Sequence, residues 1–432
     1  MPDFVLEIGV EEMPARFVPK LAEELEGLVG GLLDEALVPH GAVRCFATPR
    51  RLAALVADVA EERTSEVEEV TGPPVRIARG EDGELTKAGL GFAKTQGVEP
   101  DELYTVTTDK GEYLAARKTV GGGQSLDVLG EVCLKAVKKL SFPKKMQWGD
   151  MEFHFGRPIR WLLAMLGGAV VPFGLAGLAS GNTTEGHRVM GRGPWTLADA
   201  SEYEAVVRDK GGVVPGPDER AALIREEGDR LAAELGGSIV WDEGLLDEVS
   251  NLVEHPLPIL GSIEDKFLEL PPEVLLTSMQ SHQKSFGVTG PDGKLLPRFL
   301  TTLNLEPEDL DLVRRGWERV LKARLEDARF FWEADCAVSA TGLDAWLKKL
   351  DAVVFLGPLG SMGDKSRRLE KLCGRIAGEL DVAPGELADY ARAGRLAKAD
   401  LVSEMVNEFD SLQGIMGGIY AERADQGEIV TK

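Results

Sequence analysis

The periodicity of the sequence changes near residue 306, and this change limits the folds that the chain can adopt. Before it, short apolar runs such as FVLEIGV at 4–10 alternate with amphipathic segments and with turns rich in Gly and Pro. After it, helical periodicity continues to the end of the chain, which closes with GEIVTK. Mixed strands and helices followed by helices alone are typical of an α+β region joined to an all-α region. We therefore predict an α+β, multi-domain chain.

Local signals refine this prediction at two places. The Asp-Gly pairs Asp82-Gly83 and Asp292-Gly293 predict hairpin turns. The segment from Trp161 to Thr184 has no charged residue and could be taken for a membrane span. It contains Pro172 and five glycines, however, which break a helix, so buried strands joined by turns are favoured.

The overall charge restricts how this chain could bind nucleic acid. The formal net charge is −23, from 49 Lys and Arg against 72 Asp and Glu. Such an acidic chain repels a polyanion, so any nucleic-acid binding must come from local basic patches. The four cysteines lie far apart without zinc-ligand spacing, and the N-terminus lacks the plan of a signal peptide. Both features indicate a cytoplasmic protein with reduced thiols.

A basic stripe is expected on the helix at 314–332. At 100° per residue, a line of charged side chains falls within an arc of about 80°. Its members are Arg315, Arg319, Lys322, Glu326 and Arg329. The four cations of this stripe suit contact with RNA phosphates. The alternative is a solvated face with i,i+4 ion pairs such as Glu318–Lys322.

Arg324 falls on the apolar side of the same helix. An arginine that points into a core needs a partner, and Asp327 is three residues away. We therefore predict a partly buried Arg324–Asp327 pair with a structural role.

Further basic clusters lie in the α+β region. KKLSFPKKM places Lys144 and Lys145 beside Phe142, HFGRPIRW contains Arg157 and Arg160, and Arg50-Arg51 follows Pro49. Basic residues interleaved with aromatic rings are typical of surfaces that bind RNA. A plain solvated surface explains each cluster equally well.

No set of residues in the sequence indicates catalysis or metal binding. The five histidines lack metal-type spacing, and no GxSxG motif occurs. GPLGSMGDKSRR at 357–368 imitates a phosphate loop, but Asp364 separates Gly363 from Lys365, and an acid there would repel phosphate. These observations indicate a large binding protein with no catalytic residue, metal or cofactor of its own.

Long tracts of the chain resemble one family, the β subunit of bacterial heterotetrameric glycyl-tRNA synthetase. The resemblance covers essentially the whole chain, in order. The tracts are LEIGVEEMP at 6–14, TPRRLA at 48–53, LTKAGLGFAKTQGV at 85–98, FPKKMQWGD at 142–150, FGRPIRWLLAMLG at 155–167, GNTTEGHR at 181–188, LVEHPLPILGSIEDKFLELPPEVLLTSMQSHQKSFGV at 252–288, ERVLKARLEDARFFWEAD at 318–335 and RLAKADLVSEMVNEFDSLQGIMGGIYA at 395–421.

The resemblance implies a cytoplasmic α2β2 ligase in which the α subunit uses ATP and Mg²⁺ to attach glycine. The β subunit would bind and position tRNA-Gly. It implies B3/B4-like α+β parts at 1–190 and 191–320, named after domains of the phenylalanyl enzyme's β subunit. An HD-like helical part at 321–432 would follow, and we expect this part to be incomplete because family chains are longer.

Two other functions stay open from the sequence. One is an HD-type metal phosphohydrolase, although the chain has no His-Asp dipeptide. The other is a stand-alone RNA-binding or editing-like module, for which no nucleophile is evident.

Overall fold

The computed structural model describes residues 1–80, 83–150, 152–380 and 382–432, which form two compact units. The first unit contains Met1–Ala221 and Ser250–His255, and the second contains Ala222–Val249 and Pro256–Lys432. Both combine helices with sheet, which agrees with the predicted α+β class. The domain boundaries at residues 190 and 320 stay predictions. The expected Asp82-Gly83 turn involves Asp82, which lies outside the described residues.

The first unit is built around antiparallel sheets. Its strands are β1 (Phe4–Val10), β2 (Val43–Thr48), β3 (Arg51–Val56), β4 (Ser65–Pro74), β5 (Tyr104–Thr108), β6 (Gly111–Gly121), β7 (Met146–Gln147), β8 (His154–Phe155), β9 (Ile159–Leu166), β10 (Ala169–Val170), β11 (Gly174–Leu175), β12 (Leu178–Ala179), β13 (Thr183–Thr184) and β14 (Trp195–Thr196). Its helices are α1 (Val18–Glu35), α2 (Val75–Ala78), α3 (Lys87–Gln96), α4 (Leu126–Lys139) and α5 (Tyr203–Ala205), and α6 (Pro217–Glu234) begins in it.

A five-stranded sheet with the order β10-β9-β1-β3-β2 forms the centre of this unit. Every residue of β1 is buried, because both faces of the sheet are covered. Phe4, Leu6 and Ile8 point into a core that includes the apolar faces of α1 and α4. Val5, on the opposite face, packs in a second core that includes Tyr203. The sheet therefore has one face covered by long helices and one covered by short helical turns.

The acidic run after residue 58 contains a strand that periodicity does not predict. β4 pairs with β6 in the order β4-β6-β5, and most of its side chains are exposed. Glu68 lies opposite Lys118 and Glu69 opposite Arg117, with ion-pair distances of 3.1 and 3.6 Å. The strand is thus held by its partner's backbone and charges. Its own residues lack the apolar alternation that marks a strand.

The uncharged segment from Trp161 to Thr184 forms short strands joined by turns, as predicted. Most of β9 lies within it, followed by β10 to β13. Among the residues that the structure describes, no helix is both long and apolar enough to cross a membrane.

The second unit begins with a mixed part and continues with helices. Its strands are β15 (Ser238–Ile239), β16 (Leu257–Ser262), β17 (Phe286–Thr289), β18 (Leu295–Leu303), β19 (Val354–Leu356) and β20 (Gly360–Ser361). Its helices are α7 (Glu243–Ser250, whose last residue belongs to the first unit), α8 (Pro272–Gln283), α9 (Leu310–Ser339), α10 (Asp344–Lys349), α11 (Met362–Glu379), α12 (Leu387–Leu396), α13 (Glu404–Glu408), α14 (Ile415–Arg423) and α15 (Glu428–Thr431).

The sheet of this unit has the order β15-β17-β18-β16, and the predicted Asp292-Gly293 turn joins β17 to β18. A core runs from this sheet into the helices and includes Phe299, Leu321, Trp346 and Tyr420. The region from 321 onward is helical as expected, apart from one correction. β19 and β20 form a small hairpin, because Gly360 takes a φ of +83° that a helix does not allow.

Candidate functional site

A row of side chains crosses the centre of the five-stranded sheet at one end. Gly9 of β1 lies between Arg51 of β3 and Trp161 of β9 in the strand register. The Trp161 ring lies over Gly9, where an added Cβ would be 1.9 Å from ring carbons. Because glycine has no side chain, the indole can cover the backbone and donate from Nε1 to Glu7 Oε2 at 3.0 Å.

Arg51 joins two buried carboxylates on this face. Its Nη1 donates to Glu7 Oε1 at 3.0 Å, and its Nε donates to Glu254 Oε1 at 3.3 Å. Its Nη2 donates to the carbonyl of Glu185 at 2.8 Å. Thr48 Oγ1 adds a hydrogen bond of 2.5 Å to Glu254. All the charged members are buried, so this is a hydrogen-bonded ionic network within the core.

Burial and charge oppose each other in setting the pKa values of this network. Burial alone would lower the pKa of Arg51, but Glu254 and Glu7 hold it above its ordinary value. Burial alone would raise the pKa of Glu254, but Arg51, Thr48 and Arg50 outweigh it and hold the pKa below 4.5. Both groups therefore stay charged at neutral pH.

A second buried arginine fixes the segment that carries Glu254. Arg220 Nε donates to the Ser250 carbonyl at 2.6 Å, and its Nη2 donates to the Ala47 carbonyl at 3.0 Å. Its Nη1 donates to the carbonyls of Val214 and Pro215. Burial dominates and lowers the pKa of Arg220 to about 10, because these four acceptors are uncharged carbonyl oxygens. Arg220 thus holds residues 250–255 against the end of β2.

A cleft of about 340 Å³ opens beside the network. Glu11 lies between two arginines of its rim, with Nε of Arg160 at 3.4 Å and Nη2 of Arg188 at 2.9 Å from its oxygens. The other charged or aromatic lining residues are Arg50, Trp161 and Glu185. The cleft therefore displays charges of both signs beside an indole.

The structure separates the two arginines of the predicted Arg50-Arg51 patch. Arg51 is 0% exposed, so its prediction as an RNA contact is wrong: in β3 its side chain lies in the core, bound to Glu7 and Glu254. Arg50 keeps 14% exposure, lines the cleft and donates from Nη1 to the Gly186 carbonyl at 3.0 Å.

The predicted cluster of Arg157 and Arg160 is also divided. Arg157 is half-buried and donates from Nε to the Glu12 carbonyl at 2.9 Å. Arg160 is exposed at the rim of the cleft.

Lys144 and Lys145 lie on an exposed loop after α4. Lys145 Nζ is 6.0 Å from the centroid of the Phe142 ring, and that ring packs edge-on against Phe155. The loop therefore presents two cations beside an anchored aromatic side chain. Its role in RNA contact stays a prediction.

The predicted stripe on α9 is present but only partly available. Lys322 pairs with Glu264, and Arg329 pairs with Glu333 at 3.0 Å. Arg315 and Arg319 are exposed and form no ion pair with any residue that the structure describes. These two cations can therefore meet a phosphate without first breaking a pair.

The predicted Arg324–Asp327 pair is wrong. Both side chains are exposed, and no ion pair joins them within the described part of the chain. The buried stripe of α9 is narrow and consists of Leu321, Leu325, Ala328, Asp335 and Ser339. Arg324 lies outside this stripe, in water, and needs no buried partner.

Two aspartates are buried in the helical part of the second unit. Asp335 accepts hydrogen bonds from the backbone of Glu404 and Met405 at the start of α13 and from Tyr420 Oη at 2.8 Å. Asp400 accepts from the backbone of Gly414 and Gly417, and burial raises its pKa. Within the described residues, no three His, Cys, Asp or Glu side chains are grouped so that they could hold a metal.

Reasoning from the sequence missed the two buried carboxylates that accept hydrogen bonds from Arg51, and it missed a glutamate that lines the cleft. The first two are Glu7 and Glu254, and the third is Glu185. The sequence does indicate that one of them is buried, because Glu7 lies inside the apolar run FVLEIGV. A charge within a strand buried on both faces requires a buried partner. The identity of that partner depends on the fold.

Comparison with known proteins gives consistent matches along the whole chain. A sequence model of the family described as glycyl-tRNA synthetase beta subunit matches residues 4–432. A glycine–tRNA ligase beta subunit from Nitratidesulfovibrio vulgaris Miyazaki F is 56% identical over 430 residues. Those from Solidesulfovibrio magneticus and Lawsonia intracellularis are 52% and 44% identical over 432 residues. Each match covers 100% of this chain and 61% of the relative's length.

Proposed function

The chain belongs to the glycyl-tRNA synthetase beta subunit family, and on this premise we propose that it binds and positions tRNA-Gly for glycylation by an α subunit. The relatives are glycine–tRNA ligase beta subunits, and the chain spans 61% of their length. In this proposal ATP and Mg²⁺ act in the α subunit. The assembly would be α2β2 and cytoplasmic.

The observation that carries the proposed RNA binding is a pair of exposed cations on α9 that form no ion pair with any residue the structure describes. Arg315 and Arg319 are four residues apart, so both point from one face of the helix. A guanidinium that is not neutralised by a neighbouring acid can bind phosphate and release a condensed counterion. On a chain of net charge −23, such a pair supports local contact with RNA over general attraction.

The loop at Lys144 and Lys145 is the second proposed contact. Its cations stand beside the Phe142 ring, and a ring beside cations suits an unstacked base next to its phosphate. The two surfaces belong to different units, and each is proposed to contact tRNA by itself.

We further propose that the α+β parts are B3/B4-like and that the helical part is HD-like in fold. The antiparallel sheet with helices on one face supports the first assignment. The succession of helices from α9 to α15 supports the second. Proteins that share a fold can differ in activity, so an HD-like fold does not imply phosphohydrolase activity here.

A reconstitution experiment tests the proposed division of labour. The purified chain, the α subunit and their mixture are each incubated with tRNA-Gly, glycine, ATP and Mg²⁺, and glycyl-tRNA is measured. We expect the chain alone to bind tRNA-Gly and to form no glycyl-tRNA. Glycylation by the chain alone would contradict the proposal.

The same preparations test the two rival functions. A stoichiometric bound divalent ion in the purified chain would support the metal phosphohydrolase. Deacylation of a mischarged tRNA by the chain alone would support the editing-like module. The proposal expects neither result.

A further inference from the structure

We infer that the cleft beside the Arg51 network binds a small zwitterion of the α-amino-acid class. The inference rests on the cleft's own charges and goes beyond the proposed binding of tRNA. The cleft is a small-molecule site by size, since its volume of about 340 Å³ is near the lower end of ligand pockets.

The first feature that identifies the ligand is the Glu185 carboxylate, which accepts no hydrogen bond from any described residue. Glu185 lines the cleft and is half-buried, and its carbonyl oxygen accepts from Arg51. Among the residues that the structure describes, none donates to its carboxylate or forms an ion pair with it. This oxygen pair is therefore available to an ammonium group.

The second feature is a set of guanidinium groups on the other sides of the cleft. Arg160 and Arg188 both pair with Glu11, Arg188 also lies 3.5 Å from Glu12 Oε1, and both arginines remain more than half exposed. Each guanidinium carries five N–H donors, and only Nη2 of Arg188 is within 3.0 Å of a carboxylate among the described residues, so donors remain for a ligand acid. Planar guanidinium groups bind carboxylates through paired hydrogen bonds. A ligand carboxylate can therefore bind here while its ammonium group faces Glu185.

Ligands of a single charge fit the cleft less well. An anion such as phosphate would meet Glu11 and Glu185 as well as the arginines, and a simple cation would meet Arg50, Arg160 and Arg188. Unfavourable charges of this kind reject a partner as effectively as favourable contacts select one. A zwitterion satisfies both sets of charges together.

The walls of the cleft are fixed before any ligand arrives. The Arg51 guanidinium holds the backbone of Glu185, and the Arg50 guanidinium holds that of Gly186. Trp161 is held by Glu7 and lies flat on Gly9. A preorganised site loses little entropy on binding, which favours small ligands with few contacts.

Titration calorimetry on the purified chain, without an α subunit, tests the inference. The probes are glycine and alanine as zwitterions, acetate and methylammonium as the two half-ligands, and inorganic phosphate. We expect glycine and alanine to bind saturably at millimolar concentration and each half-ligand to bind at least about tenfold more weakly, since each lacks one charged hydrogen-bonded contact.

A matched pair of variants locates the binding. Glu185→Gln should weaken glycine binding by about tenfold or more and leave the weak acetate binding unchanged or stronger. Glu112→Gln removes an equal charge from an exposed position on β6, outside the cleft, and should leave glycine binding unchanged. Thermal denaturation of both variants verifies that they fold.

Three results would overturn the inference. They are the absence of saturable glycine binding, equal binding of glycine and acetate, and phosphate binding that exceeds glycine binding and strengthens in Glu185→Gln. Titration of the wild-type chain with these probes tests the inference even if a variant fails to fold. Because tRNA-Gly is absent from these titrations, their failure would leave the proposed RNA-binding function untouched.

Discussion

Glu254 lies beside two arginines and a threonine hydroxyl in the core of the first unit. Its pKa in the folded chain is below the ordinary value of 4.5 because Arg51, Thr48 and Arg50 outweigh burial. A carboxylate of this kind stabilises the fold above its unfolded-state pKa, and this stability is lost as the pH falls through the folded-state pKa. Glu254 therefore couples the stability of this unit to acid pH.

We predict that Glu254→Gln destabilises the chain at neutral pH by about 3 kcal/mol, because it leaves the charge of Arg51 only partly compensated in the core. The difference from wild type should begin to shrink below about pH 4.5, where Glu254 of the unfolded chain takes up a proton, and should shrink further until the pH passes the lower folded-state pKa. Chemical denaturation at a series of pH values measures both effects.

The control for this prediction is Glu68→Gln, which removes the same charge from the exposed pair with Lys118. Its effect should stay below about 1 kcal/mol at every pH. A loss in Glu254→Gln that does not change with pH would show that packing, and not charge, is responsible.

Single residues also show where prediction from the sequence succeeds and where it stops. The run at 4–10 predicts a buried strand, and the buried Glu7 could have been recognised from its place in that run. Its partner Arg51 lies 44 residues away, and Glu254 lies 203 residues beyond that. The local periodicity of a sequence does not predict contacts between residues so far apart. These contacts depend on the strand order and on Arg220, which holds the 250–255 segment.

Helices were easier to predict than strands because a long element repeats its apolar stripe several times. α9, for example, contains the whole of the helix predicted at 314–332. β4 was missed because its stability comes from β6, whose Lys118 and Arg117 face its glutamates. Arg324 was misplaced because helical periodicity predicts a broad apolar side for α9, whereas Val320 on that side is exposed and the buried stripe is narrow.

Helix packing in the second unit depends on glycine at one position and not at another. Gly394 of α12 faces α11 so closely that an added Cβ would be 2.7 Å from the Leu369 carbonyl oxygen and 2.8 Å from Cys373 Sγ. Gly316 lies within α9, where an added Cβ would meet nothing within 4 Å. The same substitution should therefore act in opposite directions at the two sites.

We predict that Gly394→Ala lowers the free energy of unfolding by about 1–3 kcal/mol, because the two helices must separate to admit the methyl group. Gly316→Ala should raise it by roughly 0.5–1 kcal/mol, because alanine loses less backbone entropy in a helix. Chemical denaturation of the two variants measures this contrast. Equal effects at both positions would show that helix propensity alone, without the close packing of α11 and α12, accounts for the change.

For the molecule as a whole, a net charge of −23 repels a polyanion, so the proposed contact with tRNA depends on local cations that are not paired with an acid. α9 provides an internal comparison. Arg315 and Arg319 form no ion pair within the described part of the chain, whereas Lys322 and Arg329 are already paired to acids. All four lie on one helix. Replacing either pair by glutamine changes the net charge by the same amount.

We predict that the Arg315→Gln/Arg319→Gln variant binds tRNA-Gly more weakly than the Lys322→Gln/Arg329→Gln variant. The slope of log affinity against log salt should fall by about 2 in the first variant, because each lost phosphate contact removes about 1 from that slope. In the second variant the slope should change less, because Glu264 and Glu333 compete with phosphate for its cations. Since both variants lose equal charge, equal slopes would mean that only the overall field matters and that α9 does not contact RNA directly.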